Sequence, residues 1–218
     1  MDLSRLFDLE PHGPDTFVGI GPRYPWGGLY GGQIVAQALR AAAMTVETDG
    51  PDGGFMPHSL RAYFIRRGDH AEPVRYEVDR IRNGRSFCTR RVVARQAVGA
   101  ILNLEASFQR AERSDDVETV EMPKGIPLPG DLPRSSWSDV FERHWVPDEV
   151  TAALPDTRAR AGRAVAWLKV SEDLGDDELL VPHAGAGRRR PVPQLLRPRL
   201  RVRRPAHRRG GPGPGRAP

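Results

Sequence analysis

The stretch GGQIVAQALRAAAMTV, residues 31–46, decides the fold. Beyond its two glycines it is built almost wholly of helix formers, and Arg40 is its only charge. Ile34, Ala38, Ala41 and Thr45 fall on one helical stripe, and Val35, Leu39, Ala42 and Val46 on the next. Gln33, Gln37 and Arg40 supply too little polarity for the wet face of a surface helix. A segment apolar around most of its girth needs cover on nearly every side, and its alanines let strands come close to the axis. The pattern predicts a central helix over 31–46 with a sheet wrapped around it.

The strands to wrap it follow. Residues 17–20 read as a short first strand, and Pro22, Pro25, Gly27 and Gly28 mark the loop into the helix. After a turn-rich connection at 49–54, residues 59–66 (SLRAYFIR) put Leu60, Ala62 and Phe64 on one face. In 73–82 (PVRYEVDRIR), Val74, Tyr76 and Val78 alternate with charges. Asn83-Gly84 then predicts a type I′ hairpin turn, with 86–96 as the returning strand. A second turn near Val98-Gly99 leads to 101–108, where Leu102, Leu104, Ala106 and Phe108 alternate. The class is α+β, a buried helix and an antiparallel meander of about four strands. Residues 1–15, with Leu3, Leu6, Phe7 and Leu9, form an amphipathic lead-in stopped by Pro11, Gly13 and Pro14.

The remainder changes character. Prolines at 123, 127, 129, 133, 147 and 155 mark 113–160 as a linker, with a short helical turn at 137–144. Residues 162–170 (GRAVAWLKV) open a strand of a second unit spanning 161–181, and 173–180 begins a helix or capped turn. From Pro182 to Pro218 only Pro, His, Ala, Gly, Arg, Val, Gln and Leu occur. All eight are encoded by triplets beginning with C or G, the mark of G+C-rich DNA translated out of frame. Residues 182–218 therefore read as a disordered, frameshifted tail in place of a real domain. A basic arm for RNA or DNA is the competing reading, and no aromatic residue is interleaved there to stack on bases.

That tail also explains the charge. It holds eleven arginines and no acid, so the net +5 becomes −6 for residues 1–181. The pI of 10.0 belongs to the tail, and no nucleic-acid affinity follows for the body. A single cysteine, Cys88, excludes an internal disulfide framework and fits a reducing, cytoplasmic setting. The first residues lack the basic start and apolar run of a signal peptide, and no run of about 18 apolar residues offers a membrane span. There is no GxSxG, HExxH, CxxC or Walker loop, which leaves serine-hydrolase, metal and nucleotide-triphosphate readings without support.

Four ordered motifs carry a resemblance: GGQIVAQAL, HSLRAYFIRRGD, VDRIRNGRSFCTRRVVARQ and EASFQ. Together they resemble the N-terminal half of type II acyl-CoA thioesterases, strongly over 5–110 and more faintly to about 181. Those enzymes are double hot-dog proteins, in which two helix-in-a-sheet units share a chain. The resemblance implies a hot-dog domain at 1–112, acyl-CoA as substrate and hydrolysis without a cofactor; with its second half missing, the unit should expose a sheet edge and an apolar face, which predicts homo-oligomers through hot-dog packing, or aggregation. The resemblance also implies that the family's catalytic Asp, Ser/Thr and Gln lie on the second unit, so none of the three is carried onto this sequence.

Thioester hydrolysis needs a water, a base to activate it and donors for the developing oxyanion. Gly31, Gly32 and Gln33 open the helix, where free N–H groups and the positive end of the dipole could polarise a carbonyl; alternatively the glycines only allow a tight entry. The resemblance associates His58 with the active-site region, as a base or as a plain hydrogen-bonding residue. Arg85, with Arg82, Arg90 and Arg91, concentrates positive charge suited to coenzyme A phosphates, or else forms a solvated face paired with Glu77 and Asp79. Asp69 reads as a turn residue, Asp79 as a solvated strand residue and Cys88 as a buried, inert thiol. Three functions stand in order: acyl-CoA thioesterase, an inactive remnant that binds acyl-CoA or another hot-dog chain, and hydratase-type hot-dog chemistry.

Overall fold

A computed structural model of the chain describes residues 3–46, 54–110, 112, 124–136, 141–153 and 164–171. In order these form α1 (Leu3–Phe7), β1 (Glu10–Pro11), β2 (Thr16–Gly19), α2 (Gly31–Ala43), β3 (Phe55–Phe64), β4 (Val74–Asn83), β5 (Phe87–Gln96) and β6 (Gly99–Arg110). A 3-10 turn at Pro129–Asp131, β7 (Phe141–Trp145), α3 (Asp148–Ala152) and β8 (Ala166–Val170) follow. The sequence expectations at 49–53, 137–140, 173–180 and 182–218 lie outside the described residues.

The helix forms where its composition demands, starting at Gly31. It ends at Ala43, three residues short of the predicted end. The Thr45 hydroxyl bonds back to the Ala42 carbonyl at 2.7 Å, and Arg90 of β5 takes the Thr45 carbonyl at 3.0 Å, so tertiary bonds replace the next helical turn. Between 31 and 46 only Gly32 and Met44 are exposed. Gln33 and Gln37 are buried rather than forming a polar face, and Gln37 is 0% exposed.

The sheet has six strands in the order β1-β2-β4-β5-β6-β3, all antiparallel. Only β4-β5-β6 is the expected meander: β3 crosses to the far edge beside β6, and β2 lies beside β4. The alternation reads correctly along the central strands. Val74, Tyr76 and Val78 of β4, Val92 and Ala94 of β5, and Leu104, Ala106 and Phe108 of β6 all turn toward α2. Each large side chain so buried contributes roughly 1.5–3 kcal/mol. Small residues on both sides, Ala38, Ala41 and Ala42 facing Ala94 and Ala106, allow the close approach that the alanine content predicted. This is the hot-dog arrangement.

Two strand readings are corrected. The β4–β5 connection is not a type I′ turn, because neither Asn83 nor Gly84 has positive φ. Asn83 stays in the ladder opposite Cys88, and its side chain accepts from the buried Arg90 at 2.7 Å. That long-range bond outweighs the local turn preference. The β5–β6 turn does use a glycine with positive φ, Gly99 at +105°. On β3, Leu60 and Phe64 share a face as read, yet they are 46% and 61% exposed because β3 is the sheet edge.

The proline-rich 113–160 segment is more structured than a linker. In place of the helical turn expected at 137–144, its described part carries β7, which pairs antiparallel with β8 from Phe141↔Val170 to Trp145↔Ala166. The strand expected at 162–170 is thus present at Ala166–Val170, and its partner is a strand that proline content had argued against. The prolines flank β7 rather than interrupt it. Among the described residues no helix is long and apolar enough to cross a membrane.

Candidate active site: two ends of one sheet

The start of α2 sits where β3 ends. A methyl group at Gly31 would meet the Phe64 ring at 3.1 Å, the Leu29 N–H donates to the Gly68 carbonyl at 3.0 Å, and Arg67 donates to the Trp26 carbonyl at 2.7 Å. Tyr30 is the N-cap and makes no side-chain cap bond. The first N–H groups of a helix have no acceptor inside it, so those of Gly31, Gly32 and Gln33 gather at the dipole's positive end, with Gly32 exposed, Gly31 half-buried and Gln33 buried. Such a set suits a carbonyl oxygen, an oxyanion or a phosphate.

Behind it lies a buried hydrogen-bonded chain absent from the sequence reading. The Tyr24 hydroxyl donates to Gln33 Oε1 at 2.7 Å, and Gln33 Nε2 donates to Gln37 Oε1 at 3.2 Å. Gln37 Oε1 also accepts from the Tyr76 hydroxyl at 2.7 Å, while its Nε2 donates to the carbonyls of Leu6 and Ile20, both at 2.8 Å. The Gln33 side chain therefore faces inward, and the residue as a whole is buried. A methyl group at Gly21 would collide with the Gln33 carboxamide, so the loop before the helix rests directly on this chain. Burial, aided by the neighbouring Tyr30, pushes the Tyr24 hydroxyl up to about 12, and burial raises Tyr76 further. The signal was present as two glutamines at i and i+4 inside an apolar helix.

His58 lies at the other end of β3. A bulge between Pro57 and Ser59 takes it out of register, its Nε2 meets Ser107 Oγ at 2.9 Å, and its ring stands edge-on to Phe87 at 5.6 Å. Arg85 is close by in the β4–β5 turn, where its carbonyl accepts from Arg110 Nε at 3.1 Å. Along β3, His58 and the helix start are about 20 Å apart. The structure groups Gly31, Gly32 and Gln33 at one end of the sheet and places His58 and the Arg85 turn at the other; it does not bring the two ends together within one unit.

The arginine cluster divides. Arg90 is 2% exposed and spends all five donors internally, on Thr45 Oγ1, the carbonyls of Thr45, Arg82 and Thr89, and Asn83 Oδ1, at 2.7–3.0 Å. It is a buried brace at the helix's C-terminal end, not a phosphate contact; burial lowers its pKa. Arg91 faces Asp79 at 3.9 Å, and Arg95 faces Glu77 at 2.8 Å, a solvated ladder on the outer face. Asp69 is a turn residue, its carboxylate accepting the Ala71 N–H at 2.8 Å. Cys88 is buried. No metal-binding group of His, Cys, Asp or Glu occurs among the described residues.

Residues 21–109 match the family model for the acyl-CoA thioesterase N-terminal domain, which spans α2, β3 and the β4-β5-β6 meander. Over these residues the chain is similar to the N-terminal domain of acyl-CoA thioesterases. The chain is 42% identical over 130 residues to acyl-coenzyme A thioesterase 8 of Homo sapiens, covering 60% of this chain and 39% of that protein. It is 33% identical over 126 residues to acyl-CoA thioesterase 2 of Haemophilus influenzae, covering 58% of this chain and 42% of that one. Among solved structures, an acyl-CoA thioesterase II of Mycobacterium marinum superposes with a TM-score of 0.65 at 31% identity. That match covers 81% of this chain and 62% of the other, so it reaches past the thioesterase domain into the β7–β8 segment. The chain thus spans about two fifths of the length of the curated relatives it matches.

Proposed function

We propose that this chain acts in acyl-CoA thioester hydrolysis, as one hot-dog unit of a composite site. A water adds to the thioester carbonyl, the oxyanion rests on the N–H groups of Gly31, Gly32 and Gln33, and collapse expels the coenzyme A thiol and leaves the fatty acid. His58 is the candidate base, and Arg85 the candidate contact for a coenzyme A phosphate. No cofactor takes part. One observation carries this reading: the family's helix start and His58 occupy opposite ends of the same edge strand.

Two copies of β3 paired antiparallel put the His58 end of one beside the helix start of the other. Leu60, Tyr63 and Phe64, 46–61% exposed along that edge, are the surface such pairing covers. The partner is a second hot-dog unit, here a second copy of this chain, with 1–112 as one unit and 161–181 as the opening of another. The lone buried Cys88 supports a reducing, cytoplasmic setting in fatty-acid metabolism.

The test is release of thiol from a medium-chain acyl-CoA, followed with a thiol reagent. Turnover by the purified chain supports hydrolysis. Binding of acyl-CoA without turnover assigns the chain acyl-CoA binding alone, the reading favoured if the second unit carries the family's catalytic residues. Neither turnover nor binding overturns both.

A further inference from the structure

His144 sits on β7, outside everything used above. It is 8% exposed, and both ring nitrogens face acceptors: Nδ1 lies 2.9 Å from the Leu132 carbonyl and Nε2 lies 2.9 Å from Glu142 Oε1. A carbonyl and a carboxylate have no proton to offer. A neutral imidazole carries one N–H, which the stronger acceptor, the Glu142 carboxylate, holds on Nε2, so the Leu132 carbonyl loses its donor; the imidazolium carries two and satisfies both.

What these bonds hold is a separate segment of chain. Residues 127–135 lie along the β7–β8 ribbon on three anchors. Trp167 Nε1 donates to the Pro127 carbonyl at 2.9 Å, His144 meets the Leu132 carbonyl, and Arg143 Nη2 donates to the Ser135 carbonyl at 2.8 Å while the Ser135 N–H returns a bond to the Arg143 carbonyl at 2.8 Å. The middle anchor is the one that titrates near neutrality. It closes over the 3-10 turn Pro129–Asp131, so its loss frees the centre of the segment.

We propose that His144 is a pH-sensitive pin that seats residues 127–135 on the β7–β8 ribbon when protonated and releases them when neutral. The charged neighbours are Glu142 on its own strand, Lys169 opposite Glu142 on β8, and Arg134, which bridges His144 from the seated segment. The Glu142 bond and then the Leu132 bond hold the imidazolium above its ordinary 6.5, against burial and the Arg134 charge. The His144 bond, followed by the charges of Lys169, His144 and Arg134, holds Glu142 below its ordinary 4.5.

The signs define a window. A raised histidine contributes stability that is complete below about 6.5 and is lost as pH climbs through its folded value. A lowered carboxylate contributes stability present above about 4.5 and lost as pH falls through its folded value. The segment is therefore seated at mildly acidic pH and loosens in the alkaline direction.

Hydrogen exchange of the full chain, read by mass spectrometry at pH 6 and pH 9 and corrected for intrinsic rates, tests this. Peptides from 127–135 should lose about tenfold in protection at pH 9, while β5 and β6 do not change. His144→Gln should make the protection of that segment independent of pH. Glu142→Gln, which keeps the imidazole, should move the transition to lower pH. Equal protection at the two pH values in the parent chain, or an unmoved transition in Glu142→Gln, overturns the pin.

Discussion

Gln37 is the residue on which the most separate parts of the fold converge. Its carboxamide serves Tyr76 of β4, Gln33 one turn earlier, Leu6 at the end of α1 and Ile20 before the helix. Replacing it with leucine keeps the volume and strands those partners without water. Each unsatisfied buried group costs about 1–3 kcal/mol, so Gln37→Leu should destabilise the chain by on the order of 3 kcal/mol, seen as a fall of about 10 °C in melting temperature. The same network sets an alkaline limit. Tyr24, held near 12, and Tyr76, higher still, are raised above their ordinary 10.0. Their stabilisation is complete below pH 10 and lost as pH rises through the folded values. Circular dichroism against pH should show unfolding between about pH 10 and 12, coincident with tyrosinate absorbance near 295 nm. Arg90 makes the complementary case. Arg90→Lys keeps the charge but cannot reach five acceptors, and should cost about 2–4 kcal/mol by urea denaturation. A loss below about 0.5 kcal/mol would refute the brace.

Elements divide into those whose signal is local and those decided from afar. The helix was legible because its apolar girth runs unbroken through Ala38, Ala41 and Ala42. The inward faces of β4, β5 and β6 were legible because side chains alternate. The order of strands was not, since nothing in 55–64 says whether β3 pairs with β4 or crosses to β6. The Asn83-Gly84 turn was misread for a related reason: Asn83 answers to Arg90, seven residues away across the hairpin. The candidate site shows the same limit. Glycines at a helix start and a histidine at a strand start announce themselves, but their separation depends on which way α2 runs against β3. The exposed β3 edge makes an element-scale prediction. Leu60→Lys with Phe64→Lys places like charges along it, and should convert dimers to monomers by light scattering while leaving the circular dichroism spectrum unchanged.

At the scale of the whole molecule, one sheet offers a donor end and a histidine end about 20 Å apart. If two copies pair through β3, each composite site draws its helix start from one copy and His58 from the other. His58→Ala would remove the proposed base from both sites. Gly32→Asp would block the proposed oxyanion donors of both by placing a carboxylate at the helix start, where the dipole itself favours it, and its Cβ would have to displace the Tyr30 ring that lies across Gly32. Each variant alone should hydrolyse acyl-CoA hundreds of times more slowly than the parent. A mixed dimer is different. One of its sites receives both substitutions and is doubly broken, but the other combines an intact His58 with an intact Gly32 and is whole. Random reassortment makes half of the dimers mixed, each with one working site of two, so mixing equal amounts should restore about a quarter of the parent rate. The restored rate should vanish when both chains also carry Leu60→Lys and Phe64→Lys. If each unit used only its own residues, the mixture would stay as slow as its components.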